Sequence, residues 1–166
     1  KPTGDIVVFS AITGNHDLSW PAGHLLPNAQ YTRFSDNPHL PDWNTWHHQA
    51  IQYTAGTPPR TTRWIKTHPH TLFPNATWAI WLDANIIPAA SLTNLVEEFQ
   101  ESGAPMGTIR HPLRTTTEAE TEACITRAKD NPGALQNQLK RLGPDPGVGL
   151  WETGVCLFNL QHPDLK

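Results

Sequence analysis

Short apolar runs alternate along the chain with segments in which apolar residues recur at a helical period. The runs at 6–10 and 78–82 have almost no polar position, which is typical of strands buried on both faces of a parallel sheet. The run at 31–35 alternates between apolar and polar residues and stops at the turn residues 36–38, so it predicts another strand. Two further strands are predicted at 106–109 and 155–158.

Helices are predicted between these strands from their capping residues and their apolar spacing. Pro59 stands where a helix over 60–68 begins, and Pro69 ends it. Ser91 is predicted to cap a helix that closes at Gly103, because the apolar residues between them follow the i, i+3, i+4, i+7 pattern. Further helices are predicted from a capping box of Thr117 and Glu120 to about residue 129, and over 135–142 before Gly143.

This alternation of strands and helices predicts an α/β fold with a mostly parallel sheet flanked by helices. We expect a single domain over 1–166, and we expect it to be incomplete at its carboxyl end, since residues 161–166 show no terminating pattern. The proline-rich residues 38–59 have no clear period, and no element is predicted there.

Composition and charge narrow the classes of function. Hydrophobic residues make up 37% and charged residues 16% of the chain, as in a globular enzyme. The net charge is −3 and no stripe of Lys and Arg is present, which argues against a nucleic-acid partner. No apolar run approaches the ~18 residues of a membrane span, and no leader opens the chain. We therefore expect no membrane span and a cytoplasmic location, or the Golgi lumen if the protein is eukaryotic.

The sharpest chemical signal is the motif Asp83-Ala84-Asn85, which directly follows the apolar run at 78–82. The carboxyl ends of parallel strands are where α/β folds bind ligands, and hard divalent cations prefer oxygen ligands that bridge them to a diphosphate. Asp83 and Asn85 are therefore predicted to hold a metal. The alternative is that Asp83 only caps a turn before residues 86–88.

Cationic side chains accompany this motif in two places. Arg63 and Lys66 lie three residues apart on one face of the predicted helix before the strand, where they are predicted to bind a diphosphate or a nucleotide base. His111 and Arg114 follow the next predicted strand and are predicted to line the same substrate pocket. The alternative for Arg63 and Lys66 is an ordinary solvated surface.

Three carboxylates are candidates for proton transfer. Glu118 and Glu122 share a helical face, so one of them accepts a proton from a sugar hydroxyl or holds Arg114 in place. Glu152 lies in a glycine-bounded turn before the last strand, where it orients an acceptor hydroxyl or is a surface residue. His162 is a possible further metal ligand or an exposed histidine. Phosphate-binding glycine loops, a nucleophile elbow and a zinc-protease motif are missing from the sequence.

Taken in order, these segments resemble a glycosyltransferase-like domain family, formerly a domain of unknown function, that is shared by plant proteins of pectin and seed-mucilage synthesis and by bacterial proteins. The resemblance covers nearly the whole chain, and the shared order is more specific than any single motif. The matching residues are Val8 to Ile12 with Gly14 and Asp17; Tyr31 to Phe34 with Asp36 and Asn37; Arg63 and Lys66 with His68-Pro69-His70; Ile80 to Asn85; His111-Pro112 with Arg114; Glu122 to Ile125; and Gly149-Leu150 with Glu152, Gly154 and Val155.

The resemblance implies a GT-A-like fold, transfer from a nucleotide-sugar donor to a carbohydrate acceptor in polysaccharide biosynthesis, and a divalent metal, Mn²⁺ or Mg²⁺, at Asp83. Glu152 and Glu122 are then the predicted catalytic residues, and Asn85 also contacts the donor. The sequence departs from the family in having Asn85 where a second Asp is usual. It also has Asn159 and Leu160 near a position where family members carry Arg, and it ends before a later Asp-Gln pair.

These departures leave a rival hypothesis from another class, a non-catalytic module that binds a nucleotide sugar or a glycan. A metal-dependent phosphohydrolase is a third hypothesis, although such enzymes need a denser set of His and Asp ligands than this sequence offers.

Overall fold

A computed structural model describes residues 4–15, 17–41 and 44–165 of the chain. The strands are β1 (Ile6–Ile12), β2 (Ala29–Ser35), β3 (His47–Ala50), β4 (Trp78–Leu82), β5 (Met106–Arg110) and β6 (Trp151–Asn159). The helices are α1 (Pro58–Thr67), α2 (Pro69–Leu72), α3 (Thr93–Ser102), α4 (Thr117–Thr126) and α5 (Pro132–Leu142), and a 3₁₀ turn follows at Pro163–Leu165.

The strands form one mixed sheet in the order β3-β2-β1-β4-β6-β5. Strand β1 pairs in parallel with both β2 and β4, and β2 pairs in parallel with β3. Strand β6 runs antiparallel to β4. The predicted α/β class with a mostly parallel sheet is therefore confirmed.

The core lies on both faces of the central strands, because successive side chains of a strand point to opposite sides. On one face, Val8 and Ile80 pack with Phe99 of α3. On the other face, Phe9 and Trp81 pack in edge-to-face contact at 5.2 Å and share a cluster with Ile65 of α1. Every residue of β1 is buried, and so are the last four residues of β4. This explains why both strands are apolar at nearly every position.

The chain divides into two compact units. The first comprises Lys1–Gly107 and Gly154–Lys166, and the second comprises Thr108–Thr153. Helices α1, α2 and α3 belong to the first unit, and α4 and α5 belong to the second. The single domain over 1–166 stays a prediction.

Some predicted boundaries are wrong. Helix α3 begins at Thr93 with Leu92 as its N-cap, because the Ser91 hydroxyl accepts a hydrogen bond from the nearby Thr93 amide and does not cap the helix. The N-cap of α4 is Thr116, not Thr117, since the Thr116 hydroxyl accepts from the Ala119 amide. Helix α4 also ends at Thr126, short of residue 129.

None of the helices in the described part of the chain combines the length and the apolar character that a membrane span requires.

Candidate functional site

Asp83 lies directly at the carboxyl end of β4, which is a central strand, as the apolar run predicted. Its Oδ1 accepts a hydrogen bond of 2.5 Å from the Trp81 indole Nε1 and lies 3.3 Å from the Lys66 ammonium. The Trp81 ring is fully buried and therefore fixed in place, so its indole N–H orients the Asp83 carboxylate. Asp83 therefore has a defined orientation before any ligand arrives.

The Asp83 side chain does not cap the turn that follows it, because its Oδ1 is hydrogen-bonded to Trp81 and Lys66. The turn is closed instead by the backbone, where the Asp83 carbonyl accepts from the Ile86 amide at 2.9 Å. The backbone amide of Asp83 donates to the Gly154 carbonyl at 2.8 Å, which ties the turn to the neighbouring strand β6. The structure thus does not support the turn-capping alternative.

Asp83 opens onto a cavity of about 320 Å³, called here the Asp83 cavity. The cavity lies where the order of the sheet reverses, because the chain moves outward from β1 to β2 on one side and places β4 on the other. Such a reversal leaves a crevice beyond the carboxyl ends of two parallel strands, and α/β folds bind ligands there. The lining residues are Ala11, Thr13, Asp17, Pro59, Thr62, Arg63, Lys66 and Asp83.

Helix α1 supplies the cationic wall of the Asp83 cavity. Its first turn contains prolines, and its buried residues Thr61 and Ile65 face the sheet, which turns Arg63 and Lys66 toward the cavity. The Lys66 side chain is only 16% exposed, and its ammonium lies 5.5 Å from the centre of the Trp81 ring. The prediction that Arg63 and Lys66 lie within reach of the Asp83 cleft is therefore confirmed.

Hydrogen bonds of threonine hydroxyls join the start of α1 to the loop that follows β1. The Thr13 Oγ1 donates to the Pro58 carbonyl at 2.9 Å and lies 2.7 Å from the Thr62 Oγ1. Both threonines also line the Asp83 cavity. They therefore position the helix and present polar oxygens to the same space.

Four other cavities in the described part of the chain have volumes between about 190 and 560 Å³. None of these four has a Lys or Arg in its lining. The Asp83 cavity is smaller than three of them, yet it differs from all four in combining cations with carboxylates. Charge and position in the sheet, not volume, therefore distinguish the Asp83 cavity from the other four.

Asp83 and Asp17 bring carboxylate oxygens, which hard divalent cations prefer as ligands, to the lining of one cavity. Oδ1 of Asp83 is engaged by Trp81 and Lys66, whereas Oδ2 faces Gly154, where a Cβ would stand 3.5 Å from it. Asp17 brings a second carboxylate to the lining. Mg²⁺ is usually held by one or two carboxylates together with phosphate oxygens, and carboxylate and water ligands suit Mn²⁺ as well.

Two predicted metal ligands are not brought into this lining. Asn85 is exposed in the turn after β4 and is not among the residues that line the Asp83 cavity. His162 lies near the end of the chain, with its Nδ1 3.7 Å from the Asp164 carboxylate. Within the described residues, no group of three or more His, Cys, Asp or Glu side chains is placed to hold a metal ion by itself.

Two predicted residues of the second unit, His111 and Arg114, form a cluster with Glu120. The Arg114 guanidinium forms an ion pair with Glu120 and lies 2.9 Å from the His111 Nε2. His111 accepts at Nδ1 from the backbone amides of Leu113 and Arg114, which fixes its ring. The Glu120 carboxylate also accepts from the Cys124 thiol.

The sequence interpretation assigned the wrong carboxylate to Arg114. Glu118 and Glu122 are exposed, and Glu120 holds the guanidinium instead. Glu120 was interpreted as part of a capping box, whereas its side chain is committed to Arg114. Partial burial of the Glu120 carboxyl opposes ionisation, but the hydrogen bonds from Arg114 and Cys124 and the charges of Arg114 and His111 lower its pKa overall. Glu152 is exposed on β6.

Sequence reasoning did not find three residues of the Asp83 cavity. Thr13, Asp17 and Thr62 line it, although only Asp17 carried any signal, as part of the family resemblance. A hydroxyl just after a strand, as at Thr13, or on a helix face, as at Thr62, has no distinctive sequence pattern, so the signal for both lies in the fold alone.

Comparisons with known proteins agree with the architecture described above. The sequence matches no family model, and it matches no curated protein. Among solved structures, the apo form of mouse xyloside xylosyltransferase 1 is similar, with a TM-score of 0.58 and 14% sequence identity over 97% of this chain and 70% of that chain. At this identity the likeness concerns the fold. The chain therefore has a mixed α/β fold similar to that of this mouse protein.

Proposed function

We propose that the chain is a glycosyltransferase-like protein that binds the diphosphate of a nucleotide-sugar donor in the Asp83 cavity. The observation that carries this proposal is the position of Asp83, Lys66 and Arg63 at the reversal of strand order. The similar mouse protein is a xylosyltransferase, which supports sugar transfer as the reaction class. A sugar acceptor is then the second substrate.

The cations of α1 have the main chemical role in this proposal. A nucleoside diphosphate gains negative charge as the sugar leaves it, and preorganised cations that meet this charge lower the barrier. Lys66 is held in place by Asp83 and Trp81, so little reorganisation is needed when the diphosphate binds. Arg63 is more exposed and suits the outer phosphate oxygens, because a guanidinium binds phosphate through two parallel hydrogen bonds.

Asp83 and Asp17 are the residues that would hold a divalent cation, Mn²⁺ or Mg²⁺, and Asn85 remains a predicted additional ligand. When bound, such a cation neutralises part of the diphosphate charge. The roles of His111, Arg114 and Glu122 in donor binding, and of Glu152 as the group that faces the acceptor, also remain predictions from the sequence. Glu152 and Glu122 are proposed as the catalytic carboxylates.

The first test is calorimetry of the purified chain with UDP and GDP, each with and without Mn²⁺. Substituting Asp83→Asn removes a negative charge from the metal site but preserves the oxygen that accepts from Trp81, so folding should be retained. We expect nucleotide affinity in the presence of Mn²⁺ to fall by at least tenfold, or ~1.4 kcal/mol. Equal affinity of both proteins at saturating Mn²⁺ would contradict the metal assignment.

Lys66→Ala tests the cationic wall separately from the metal. We expect weaker nucleotide binding both with and without Mn²⁺, and circular dichroism checks that the variant folds, because the Lys66 side chain is only 16% exposed and pairs with Asp83. Arg60→Ala is the matched control, because Arg60 is exposed on the same helix and does not line the Asp83 cavity. If both substitutions weaken binding equally, the effect is one of general charge and the site is wrong.

The rival function is a non-catalytic module that binds a nucleotide sugar. The observation that favours it is Asn85, which is exposed and supplies a neutral oxygen where a second carboxylate is expected. Release of nucleotide from a donor mixture, dependent on an added saccharide acceptor, distinguishes the two. Nucleotide binding without such release would support the module.

A further inference from the structure

We propose that the first unit carries a second ligand site, which binds a neutral saccharide chain beside the aromatic residues Tyr53 and Trp64. This site is a cavity of about 420 Å³, called here the Tyr53 cavity. Its volume is within the range of small-molecule sites, which are about 300–1,000 Å³. The lining residues are Phe34, Gln49, Ala50, Ile51, Gln52, Tyr53, Trp64, Ile65, Thr71 and Leu72.

The aromatic wall of this cavity is preorganised. The Tyr53 ring stacks on the Trp64 ring at 4.1 Å with an interplanar angle of 28°, and Trp64 stacks on His68 at 4.5 Å with an angle of 15°. His68 is held from behind, since its Nδ1 lies 2.8 Å from the Trp64 carbonyl and must therefore carry the hydrogen that it donates. Tyr53 is 45% exposed, so this stack offers a flat aromatic surface to solvent.

The polar side-chain groups of the Tyr53 cavity are the amides of Gln49 and Gln52, the hydroxyls of Tyr53 and Thr71, and the indole N–H of Trp64. Gln49 and Gln52 are exposed, and within the described part of the chain neither side chain has a hydrogen-bond partner. All ten lining residues are uncharged at neutral pH. An amide group can both donate and accept, which matches the hydroxyl groups of a sugar.

These features together select the chemical class of the ligand. A phosphate or another anion finds no cation in this lining, in contrast to the Asp83 cavity with Arg63 and Lys66. A pyranose ring has an apolar C–H face that packs on an aromatic ring and a rim of hydroxyls that need amide partners. Sites of this kind combine apolar and aromatic walls with a few polar groups that fix orientation.

Helix α1 connects the two sites within the first unit. Arg63 and Lys66 line the Asp83 cavity, whereas Trp64 and Ile65, which lie between them in sequence, line the Tyr53 cavity. A saccharide held at Tyr53 is thus bound to the helix that supplies the proposed diphosphate contacts. If the proposed transferase function holds, the saccharide class named here is the acceptor or a remote part of it. The binding site itself does not depend on that function.

The experiment is calorimetry of the full chain with short linear oligosaccharides of glucose, xylose and galactose, repeated for Tyr53→Ala, Tyr53→Phe and Gln52→Ala. Tyr53 and Gln52 are exposed, so the variants should fold, which circular dichroism checks. We expect at least one oligosaccharide to bind, Tyr53→Ala and Gln52→Ala to weaken it by about tenfold or more, and Tyr53→Phe to retain it. Trp20→Ala is the matched control, because Trp20 is a similarly exposed aromatic residue (43%) outside this lining.

Several outcomes would overturn the inference. These are no binding of any of the oligosaccharides by the unaltered chain, equal binding by Tyr53→Ala, or an equal loss in Trp20→Ala. Uridine binding that depends on Tyr53, without oligosaccharide binding, would overturn it in favour of a nucleobase site. Titration of the same variants with UDP and Mn²⁺ separates the two proposals. Oligosaccharide binding without nucleotide binding upholds this site and contradicts the proposed transferase, and the converse result does the reverse.

Discussion

At the scale of single residues, several charged side chains are oriented by hydrogen bonds from neighbouring side chains. Glu120 illustrates this, because its carboxylate meets Arg114 on one side and the Cys124 thiol on the other. The Glu120 side chain is 35% exposed, so solvent screens the pair and its net value is about 0.2–1 kcal/mol. The cluster is therefore a modest stabilising element of the second unit.

The lowered pKa of Glu120 leads to a prediction about pH. A carboxyl whose pKa is lower in the folded state than its ordinary value of 4.5 adds stability above that value. This stability is lost as the pH falls through the lower folded-state pKa. We expect Glu120→Gln to reduce the unfolding free energy near neutral pH, and we expect the difference from the unaltered chain to shrink below pH 4.5.

Urea denaturation at a series of pH values measures this difference. Glu118→Gln is the matched control, since Glu118 is an exposed carboxylate of the same helix that accepts a hydrogen bond from the Thr117 hydroxyl. It should cost less at neutral pH. A loss in Glu120→Gln that stays constant from pH 7 to pH 4 would show that the ion pair contributes no charge-dependent stability.

Arg33 shows where residue-level prediction from sequence stops. Its position in the alternating run 31–35 predicts a strand but not burial, and yet the side chain is only 2% exposed. The guanidinium lies 4.0 Å over the Trp46 ring and donates to the Ser19 hydroxyl and the Trp20 carbonyl, each at 2.9 Å. Burial lowers the pKa of Arg33 to about 10. These partners lie outside the strand, so the pattern of residues 31–35 could not predict the burial of Arg33.

At the scale of elements, the prediction succeeded where a strand is apolar on both faces or a helix has a clear period. It placed β1, β4 and the body of α3 because burial in the sheet demands such residues. Strand β3 was missed, because it is a short edge strand that contains two histidines and a glutamine. Its four residues are held by pairing with β2, and this backbone interaction does not require particular side chains.

Gly23 shows how two loops depend on one close approach. It has a φ of +70°, and a Cβ there would lie 2.6 Å from the Pro88 carbonyl and 2.8 Å from an Ile87 methyl. We expect Gly23→Ala to lower the unfolding free energy by about 2 kcal/mol or more, because backbone strain and overpacking add. Thermal denaturation of the purified variant measures the loss.

Gly103→Ala is the control for the strain alone. Gly103 ends α3 with a φ of +64°, and a Cβ there would meet open space. Its substitution should cost only the left-handed conformation, about 1–2 kcal/mol. If Gly23→Ala costs no more than Gly103→Ala, the contact with residues 87–88 is looser than the structure shows.

At the scale of the whole molecule, the order of the strands creates the site. The sequence predicted parallel strands and a carboxylate at the end of β4, but it contained no information on which strands are neighbours. Placing β4 beside β1 brings Thr13, Asp17 and Asp83 to one crevice. Thr13 and Asp17 follow β1, whereas Asp83 follows β4 about 70 residues later, so tertiary packing alone determines that these two segments meet. Lys66 and Arg63 could be predicted because their helical spacing is local.

This geometry predicts where ligand binding protects the chain. A ligand that binds only the folded state stabilises it by about 2.7 kcal/mol at a concentration 100 times its dissociation constant. UDP with Mn²⁺ should therefore raise the melting temperature of the unaltered chain and raise that of Asp83→Asn less, because a tenfold weaker affinity leaves about 1.4 kcal/mol of stabilisation at the same ligand concentration. Hydrogen exchange should slow in segments that line the Asp83 cavity, around Thr13, Lys66 and Asp83.

The same exchange map separates this site from the Tyr53 cavity. Residues 49–53 belong to the lining of the Tyr53 cavity and not to that of the Asp83 cavity, so they should exchange at the same rate with or without the nucleotide. Residues 63–66 contribute to both linings and therefore do not discriminate. Protection of 49–53 without protection around Asp83 would place the nucleotide beside Tyr53, and it would contradict the assignment of the diphosphate to the crevice between β1 and β4. Protection around Asp83 that persists unchanged in Asp83→Asn would keep the cavity as the binding site but remove Asp83 from its ligands.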